Sequence, residues 1–384
     1  MDFDLTPEQE QMRDATRLMV ERDIDPVLAA NDPDAPLSKE EFLKVLGAAA
    51  AHGMTGARIP ESAGGTGISL LEFGIMAEQV PPVMMVALVI QDACITRLHA
   101  EAAPELRERL LPDLIAGRKI GCTAATEPAA GSDPRGVQTR LTRDGDEVVI
   151  NGRKHFVTGV SICDLSIVTC NDGTDEDGRN RLVKVVVERD VSPFEAREID
   201  GMGLCQGHWG EAVFDDCRVP AVNVLDDSSS SVRSLHDVWI GNRAVIGLLA
   251  VHMAQKALDA TLEFAGLHKQ FGKLIGGHQL IQRNLSDMAT AVTTSRLLCY
   301  YALSRVDKGE PAAGVTAMAK RYAVTACEQA IRLAKECHGG MGVSREAGLE
   351  GLLRDVRMLT PPDGTNEILT LIHGLDLTGL AAFR

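Results

Sequence analysis

Residues 147–159, "EVVINGRKHFVTG", form a short run rich in β-branched residues and bounded by turn residues, which predicts a β-strand. Short runs of similar β-branched character follow, and turns rich in Asp and Gly separate them. The further strands are "LSIVTC" (165–170), "RLVKVVVE" (181–188) and "EAVFDDCRV" (211–219), and the turns include "RDGDE" (143–147) and "NDGTDEDGRN" (171–180). This spacing predicts an antiparallel β module from about Lys119 to Leu225.

Helical periodicity precedes the β module. The segments "KEEFLKVLGAAAAHG" (39–53) and "ELRERLLPDLIAG" (105–117) repeat apolar residues at helical spacing. Near the start of the chain, Thr6 is followed three residues later by Gln9, which is the pattern of a capping box. A helical N-terminal region is therefore expected.

Helical periodicity also returns after the β module. The serine-rich segment "LDDSSSSVRSL" (225–235) predicts a linker, and "NRAVIGLLAVHMAQKALDATLEFAG" (242–266) has one continuous apolar face. Because the helices and strands are segregated along the chain, the sequence predicts an α+β fold. The predicted domains are a helical N-terminal domain (1–118), a middle β domain (119–226) and a helical C-terminal domain (227–384).

The composition limits the class of protein. The 384 residues carry a formal net charge of −15, which argues against general binding to nucleic acid. Nine cysteines occur without a C-x-x-C pair, so the sequence signals neither a zinc site nor a disulfide framework. We expect no membrane span, and the acidic start, "MDFDLTPEQEQMRDATRL", does not resemble a signal peptide. These features predict a protein of the reducing cytoplasm.

Two stretches have the composition of a ligand site. "CTAATEPAAGSD" (122–133) combines small residues with hydroxyl groups, so that its backbone can approach a flat or phosphorylated ligand. In "KHFVTG" (154–159), Phe156 and Thr158 are two residues apart and would share one face of a strand. An ordinary glycine- and serine-rich loop beside a half-buried strand would give the same pattern, and both interpretations remain open here.

Asp363 lies in "RMLTPPDGTNEI" (357–368), where two prolines and a glycine predict a turn and Thr365 can cap the next helix. The carboxylate should point outward from this turn rather than lie in a packed helix. It is either a solvated turn residue or a functional acid–base group. Among the histidines, His252 is expected in the core, and His268 and His338 are expected to be polar helix-end residues.

Five ordered motifs together resemble the acyl-CoA dehydrogenase family over essentially the whole chain. "ATEPAAGSD" resembles the flavin loop, usually T-E-P-x-A-G-S-D, and "KHFVTG" resembles the W-I-T-N strand. "HKQFGKLIGGHQLIQ" resembles R-x-Q-F-G-x-x-I-x-x-x-Q, "HGGMG" resembles G-G-x-G, and "RDVRMLTPPDGTNEI" resembles R-D-x-R-x-x-x-I-Y-E-G-T-S-E-I. The resemblance implies a helical N-terminal domain, a β-barrel or sandwich middle domain and a C-terminal four-helix bundle. It also implies bound FAD, usually in a tetramer, and an electron-transfer flavoprotein as electron acceptor.

The resemblance also implies roles for individual residues. The residues implied to bind FAD are Thr123, Ala125, Thr126, Ser132, Phe156, Thr158, His268, Gln270, Phe271, Glu336, Gly340, Thr365 and Glu367. Phe156 stands where the family usually has Trp. Arg243 stands where the family has an Arg near the CoA tail, and Ser132 and Asp92 would also contact the substrate. Arg243 could otherwise be a surface charge at the start of its helix, a position that disfavours a cation.

The implied reaction is the α,β-dehydrogenation of an acyl-CoA, or of a carrier-bound acyl thioester, to the 2,3-enoyl thioester. Asp363 would be the base that takes the α-proton, although it is one methylene shorter than the usual Glu. Asp92 is the alternative base. Asn242 stands where some branches place their base, and an amide cannot serve in that role.

At two positions the chain differs from the family in residues that affect its predicted assembly into oligomers. His268 replaces an Arg, and Glu336 replaces a Gln, that the family usually directs at the FAD of a neighbouring subunit. Both are poorer partners for a diphosphate, so the chain forms either a homotetramer that tolerates them or a heterotetramer with a second family member. The alternative enzyme class is a nitroalkane-oxidase-like flavoprotein, which uses Asp at this position but also an Arg that "ILTLIHG" (368–374) lacks. A DNA-binding role is disfavoured by the acidic charge.

Overall fold

A computed structural model describes residues 4–174, 178–225 and 231–382, with the side chains of 231–237 excluded. The described N-terminal helices are α1 (Pro7–Met19), α2 (Asp25–Ala30), α3 (Lys39–Ala51), α4 (Leu70–Ala77), α5 (Pro82–Glu101) and α6 (Pro104–Ile115). A single π-helical turn joins α1 to α2. The predicted capping box begins α1: the Gln9 N–H donates to Thr6 Oγ1 at 3.3 Å, and the Thr6 N–H donates to Gln9 Oε1 at 3.1 Å.

The middle segment forms one curled sheet of seven strands in the described residues. The strands are β1 (Gly121–Ala124), β2 (Arg140–Asp144), β3 (Glu147–Thr158), β4 (Leu165–Thr174), β5 (Asn180–Glu188), β6 (Glu195–Glu198) and β7 (Trp209–Pro220). Their order is β1-β4-β2-β3-β7-β6, with β5 paired to the other side of β4. All four predicted strands are present.

The prediction of a purely antiparallel module was wrong. Strand β1 pairs with β4 in parallel, and β2 meets β4 in parallel at Arg140 and Asn171. Parallel pairing requires strands that are distant in sequence, and strand-by-strand periodicity carries no information about it. The predicted turn at 171–180 was also placed too early, because β4 continues to Thr174. Residues 175–177 of this turn lie outside the described part of the chain.

The C-terminal part is helical and contains a small hairpin. Its elements are α7 (Ser231–Leu267), β8 (Lys269–Gln270), β9 (Lys273–Leu274), α8 (Gln279–Asp307), α9 (Ala313–His338), α10 (Leu349–Met358) and α11 (Asn366–Thr378). The predicted apolar face of α7 is buried, with Val245, Leu248 and Leu249 fully inaccessible. The linker prediction was wrong from Ser231 onward, where α7 has already begun; residues 226–230 lie outside the described residues.

Two helices are apolar and long enough to cross a membrane, which the sequence interpretation did not expect. They are α5 and residues 238–267 of α7, and 61% and 67% of their most apolar windows are buried inside the protein. Their apolar faces pack against other helices and against the sheet. A core helix that is buried on most sides has the same composition as a membrane span.

Candidate active site

The turn that carries Asp363 is held by a buried lysine. Lys320 of α9 is inaccessible to solvent, and its Nζ donates to the carbonyl oxygens of Thr360 at 3.0 Å and Gly364 at 2.8 Å, and to that of Pro362. An ammonium has three N–H donors, and here three backbone acceptors face it. Asp363 itself has φ +54°, a conformation that Asp tolerates better than most residues. The packed lysine fixes the turn in this geometry.

Arg243 holds the same turn from a second side. It is 1% exposed, and its Nε donates to the Asp363 carbonyl oxygen at 3.0 Å. The surface-charge interpretation was wrong, because α7 begins twelve residues earlier and Arg243 lies in the helix interior. The backbone N–H of Asp363 donates to no acceptor within the described residues, so it is free to bind a ligand.

Asp363 is half-buried rather than directed outward as expected. Burial raises the pKa of its carboxyl, and the neighbouring cations Lys320, Arg243, Arg58 and Arg97 oppose that rise. In turn, burial lowers the pKa of Lys320 to about 7, and Asp363 opposes that shift. A carboxylate with a raised pKa beside a free N–H has the properties of a general base.

Asp92, the alternative base, is committed to another partner. It is fully buried in α5 and forms an ion pair with Arg58 Nε, and Arg58 Nη1 donates to Asn242 Oδ1 at 3.3 Å. One oxygen of Asp92 and Nη2 of Arg58 remain without a hydrogen-bond partner among the described residues. Asp92 is therefore enclosed and held by Arg58.

The small-residue loop packs directly against the β3 strand. The His155 N–H donates to the Thr126 carbonyl at 2.9 Å, and Lys154 Nζ donates to the Ala125 carbonyl at 3.0 Å. Lys154 is fully buried and forms an ion pair with Glu127 at 2.8 Å. The loop and strand that were predicted to share a site therefore lie together.

An exposed aromatic stack adjoins this loop. A β-bulge in β3 gives Phe156 a φ of +56°, and its ring stacks on Trp209 with 5.2 Å between centroids and 19° between planes. Trp209 lies opposite Thr158 in the sheet register, and Phe156 is 51% exposed. The hydroxyls of Thr126 and Ser132 form no hydrogen bond with another described residue. A half-exposed ring beside unbonded hydroxyls fits a planar, hydrogen-bonding cofactor such as FAD.

The remaining residues implied to bind FAD lie in three places. Thr123 is partly buried in β1, while Thr365 caps α11 by accepting from the Ile368 N–H at 3.4 Å. Glu367 is exposed in the first turn of α11, where backbone N–H groups lower its pKa. His268, Gln270, Phe271, Glu336 and Gly340 are all exposed on the β8–β9 hairpin and at the end of α9.

The hairpin and the α9 end form one surface. Phe264 stacks against His268 at 4.8 Å and against His338 at 4.3 Å, and His338 Nδ1 contacts the Ala334 carbonyl at 2.8 Å. Among the described residues, no hydrogen bond, ion pair or ring contact joins this surface to the stack of Phe156. The hairpin surface is therefore separate from the group around Phe156.

Sequence reasoning missed Lys320, Arg58, Arg97 and Trp209. Lys320 and Arg97 occupy otherwise apolar helix faces, which was an available signal, because a charged residue on a buried face needs a reason. Arg58 and Trp209 carried no local signal. His252 was expected in the core and is partly buried; its Nδ1 contacts the Glu78 carbonyl at 2.8 Å, and burial lowers its pKa to about 4.

The chain matches known proteins along nearly its whole length. Profiles of the acyl-CoA dehydrogenase N-terminal, middle and C-terminal domains match residues 6–118, 122–217 and 241–375. The chain is 32% identical to the probable acyl-CoA dehydrogenase YngJ of Bacillus subtilis, over 97% of this chain and 98% of that protein.

Solved structures give the same result. The butyryl-CoA dehydrogenase of Megasphaera elsdenii aligns with a TM-score of 0.91 and 28% identity, over 98% of this chain and 100% of that one. A complex of PigA with FAD aligns with a TM-score of 0.91 and 26% identity, over 98% and 99% of the two chains. The fold of the described residues agrees with these similarities.

Proposed function

The chain belongs to the acyl-CoA dehydrogenase family of FAD-dependent oxidoreductases, and from this premise we propose that Asp363 is the base of the reaction. It takes the α-proton of an acyl thioester, either acyl-CoA or a carrier-bound acyl group, and the product is the 2,3-enoyl thioester. Bound FAD supplies the acceptor for the β-hydrogen. The supporting observation is a half-buried carboxylate on a turn that Lys320 and Arg243 hold in place.

The residues around Asp363 account for each need of proton abstraction. Burial makes the carboxylate a stronger base than a solvated Asp, and the packed turn limits its movement. Its unbonded N–H is available to the thioester carbonyl, where negative charge develops as the α-proton leaves. Asp92 keeps the role of alternative base, but its ion pair with Arg58 favours a binding role.

We assign the FAD ring system to the loop of Thr126 and Ser132 and to the stack of Phe156 beside Thr158. Thr123, Ala125, Thr365 and Glu367 are proposed to complete this part of the cofactor site. The hairpin residues His268, Gln270 and Phe271, with Glu336 and Gly340, are assigned to the FAD of a neighbouring subunit; their exposure and their separation from the Phe156 stack support this. Arg243 and Asp92, with Ser132, are assigned to the substrate side.

Titration of the FAD-loaded protein with a panel of acyl-CoA thioesters under anaerobic conditions tests this function. Loss of the absorbance band of the oxidised flavin is expected with at least one member. If no acyl-CoA in the panel changes the flavin absorbance and a nitroalkane releases hydrogen peroxide, the protein is a nitroalkane-oxidase-like flavoprotein instead. One contact supports the nitroalkane-oxidase-like alternative. Arg321 Nη1 donates to Thr370 Oγ1 at 3.0 Å, so a guanidinium from α9 reaches residues 368–374, which contain no Arg of their own.

The proposed setting is the cytoplasm, with an electron-transfer flavoprotein as electron acceptor and a tetramer as assembly. If the assembly is a homotetramer, His268 and Glu336 are tolerated, and the chain expressed alone should bind one FAD per subunit. If it is a heterotetramer, the chain alone should bind FAD poorly and should gain it on co-expression with a second family member. The flavin-to-protein ratio of the chain purified alone distinguishes the two.

A further inference from the structure

A single buried ion pair closes the loop that connects β1 to β2. Residues 125–139 contain no strand and only one short 3-10 turn, so most of their backbone groups need partners outside regular secondary structure. The side chains of Glu127 and Lys154 supply several of these partners. Both side chains are buried, and the two residues are only 6% and 0% exposed.

The Glu127 carboxylate joins the two ends of this loop. It accepts hydrogen bonds from the backbone N–H groups of Gln138 at 2.7 Å and Thr139 at 2.9 Å, both at the far end of the loop. At the near end, Glu127 and Ala130 exchange two backbone hydrogen bonds, at 2.8 and 3.2 Å, which close a tight turn. One side chain therefore fixes the distance between the start and the end of the loop.

Lys154 of β3 ties the closed loop to the sheet. Its Nζ donates to Glu127 Oε1 at 2.8 Å and to the Ala125 carbonyl at 3.0 Å. The next residue, His155, donates its N–H to the Thr126 carbonyl at 2.9 Å. The peptide groups before and after Thr126 are thus both fixed, which orients the hydroxyl that we assign to the FAD ring system.

Opposite charges hold the pair together despite its burial. Burial raises the pKa of Glu127, but Lys154 and the two backbone donors outweigh this effect and lower it overall. Burial also lowers the pKa of Lys154, and Glu127 opposes that shift. A buried ion pair often stabilises a fold no better than apolar residues of the same size. Apolar residues, however, could not bond to the Ala125 carbonyl or to the N–H groups of Gln138 and Thr139.

We propose that Glu127 and Lys154 are positioning residues that hold loop 125–139 in its FAD-binding shape before the cofactor binds. This inference rests on the proposed function, which assigns the FAD ring system to the loop of Thr126 and Ser132. A loop that is already ordered spares the cofactor the entropic cost of ordering it, so FAD binds more tightly. Because both side chains are buried, they act through the loop backbone rather than by contact with FAD.

The first test compares Lys154→Met with Lys184→Met as a matched control. Lys184 is also buried in the sheet and lies 2.6 Å from a carboxylate oxygen, but that carboxylate belongs to Glu101 of α5 and not to the loop. Both substitutions remove a buried ammonium from its carboxylate partner, so both should lower Tm. Only Lys154→Met should weaken FAD binding, by about tenfold or more, in a fluorescence titration of the apoprotein. Equal FAD affinity in the two variants would overturn the inference.

The double variant Glu127→Gln/Lys154→Met separates the stability of the fold from the shape of the loop. It removes both charges, so its Tm should return toward that of the wild type. Its FAD affinity should stay reduced, because the Ala125 carbonyl still lacks its donor. Recovery of both Tm and FAD affinity would show that the pair acts only through stability and would overturn the inference. If Lys154→Met does not fold, the double variant alone decides the question.

Hydrogen exchange of the FAD-free proteins measures the order of the loop directly. Peptides that cover residues 125–139 should exchange faster in Lys154→Met than in wild type or Lys184→Met, and added FAD should slow this exchange. Loop exchange in Lys154→Met at the wild-type rate would overturn the inference.

These readouts need no substrate, so they separate the inference from the proposed reaction. Weaker FAD binding and faster loop exchange in Lys154→Met, in a protein that no acyl-CoA bleaches, would support the positioning role and contradict the dehydrogenation. Wild-type FAD affinity and loop exchange in Lys154→Met, in a protein that an acyl-CoA does bleach, would overturn the positioning role and support the dehydrogenation.

Discussion

Replacement of Lys320 by Met would remove the contact that fixes the Asp363 turn while keeping an unbranched side chain of similar length. Lys320 Nζ donates to three carbonyl oxygens, those of Thr360, Pro362 and Gly364. Below about pH 7, where Lys320 is protonated, hydrogen bonds from this charged donor contribute about 1.5–3 kcal/mol each, so their loss costs about 4.5–9 kcal/mol. The substitution also removes a burial penalty that lowers the pKa of Lys320 from 10.5 to about 7.

That pKa shift of Lys320 corresponds to about 5 kcal/mol, at about 1.4 kcal/mol for each pH unit. The net loss in the free energy of unfolding should therefore be small, about 0–4 kcal/mol, because the two effects oppose each other. Activity should fall far more, about 100-fold in kcat, because a displacement of Asp363 by about 1 Å misplaces the base. A large loss of activity with a small loss of stability is the expected signature.

The pH dependence of stability supplies an independent readout for Lys320. Between about pH 7 and pH 10.5 the unfolded chain holds a proton on Lys320 that the folded chain has released. The folded state therefore gains about 1.4 kcal/mol per pH unit in this window, and Lys320→Met should lack that gain. The stability difference between wild type and variant should widen from pH 7 to pH 9, as measured by urea unfolding.

Lys335→Met is the matched control, since Lys335 lies on the same helix and is partly exposed. Flavin bleaching by the best acyl-CoA, measured at equal FAD content, gives the activity of each variant. Wild-type kcat in Lys320→Met, with a stability difference that does not change with pH, would refute the role given to this lysine.

Three further outcomes are expected. Phe156→Ala should weaken FAD binding about three- to tenfold, because it removes half of the aromatic stack on Trp209, and unchanged affinity by fluorescence titration would contradict this. Asp92→Asn should lower the free energy of unfolding by about 3–5 kcal/mol, because it leaves the Arg58 charge unpaired, and a thermal melt that matches wild type would count against the buried pair. The rate of bleaching should fall on acidification, because burial raises the pKa of Asp363 and only its carboxylate form accepts a proton; a rate that acidification leaves unchanged at constant FAD content would oppose it.

Sequence reasoning predicted well the features that depend on local pattern. The strand at 147–158 and the capping box at Thr6 follow from periodicity and side-chain chemistry, and both are present. The α+β fold and the family were also predicted, because five motifs retain their order and spacing. The cluster of Thr126, Phe156 and Thr158 was predicted as a shared site, and the structure brings the loop and the strand together.

Features that depend on packing between distant segments were not predicted. Lys320 is 43 residues from Asp363 along the chain, and only the fold brings its ammonium beneath the turn. Arg58 lies in a turn between α3 and α4, and nothing in its local sequence indicates its ion pair with Asp92 of α5. Arg243 was predicted at a helix start because the serine-rich segment (225–235) gave no sign that α7 already begins at Ser231, twelve residues before Arg243. Tertiary contacts, rather than local propensity, determine the charge balance of this site.

Exchange of the α-proton with solvent measures directly whether Asp363 removes that proton. Wild-type protein incubated in deuterium oxide with its best acyl thioester should exchange the α-hydrogen for deuterium, as followed by NMR of the thioester. Asp363→Ala, at wild-type FAD content and wild-type Tm, should reduce this exchange at least about 1000-fold, within the range of a general base in a positioned site. Exchange by Asp363→Ala at the wild-type rate would contradict this role of Asp363 and show that another residue is the base.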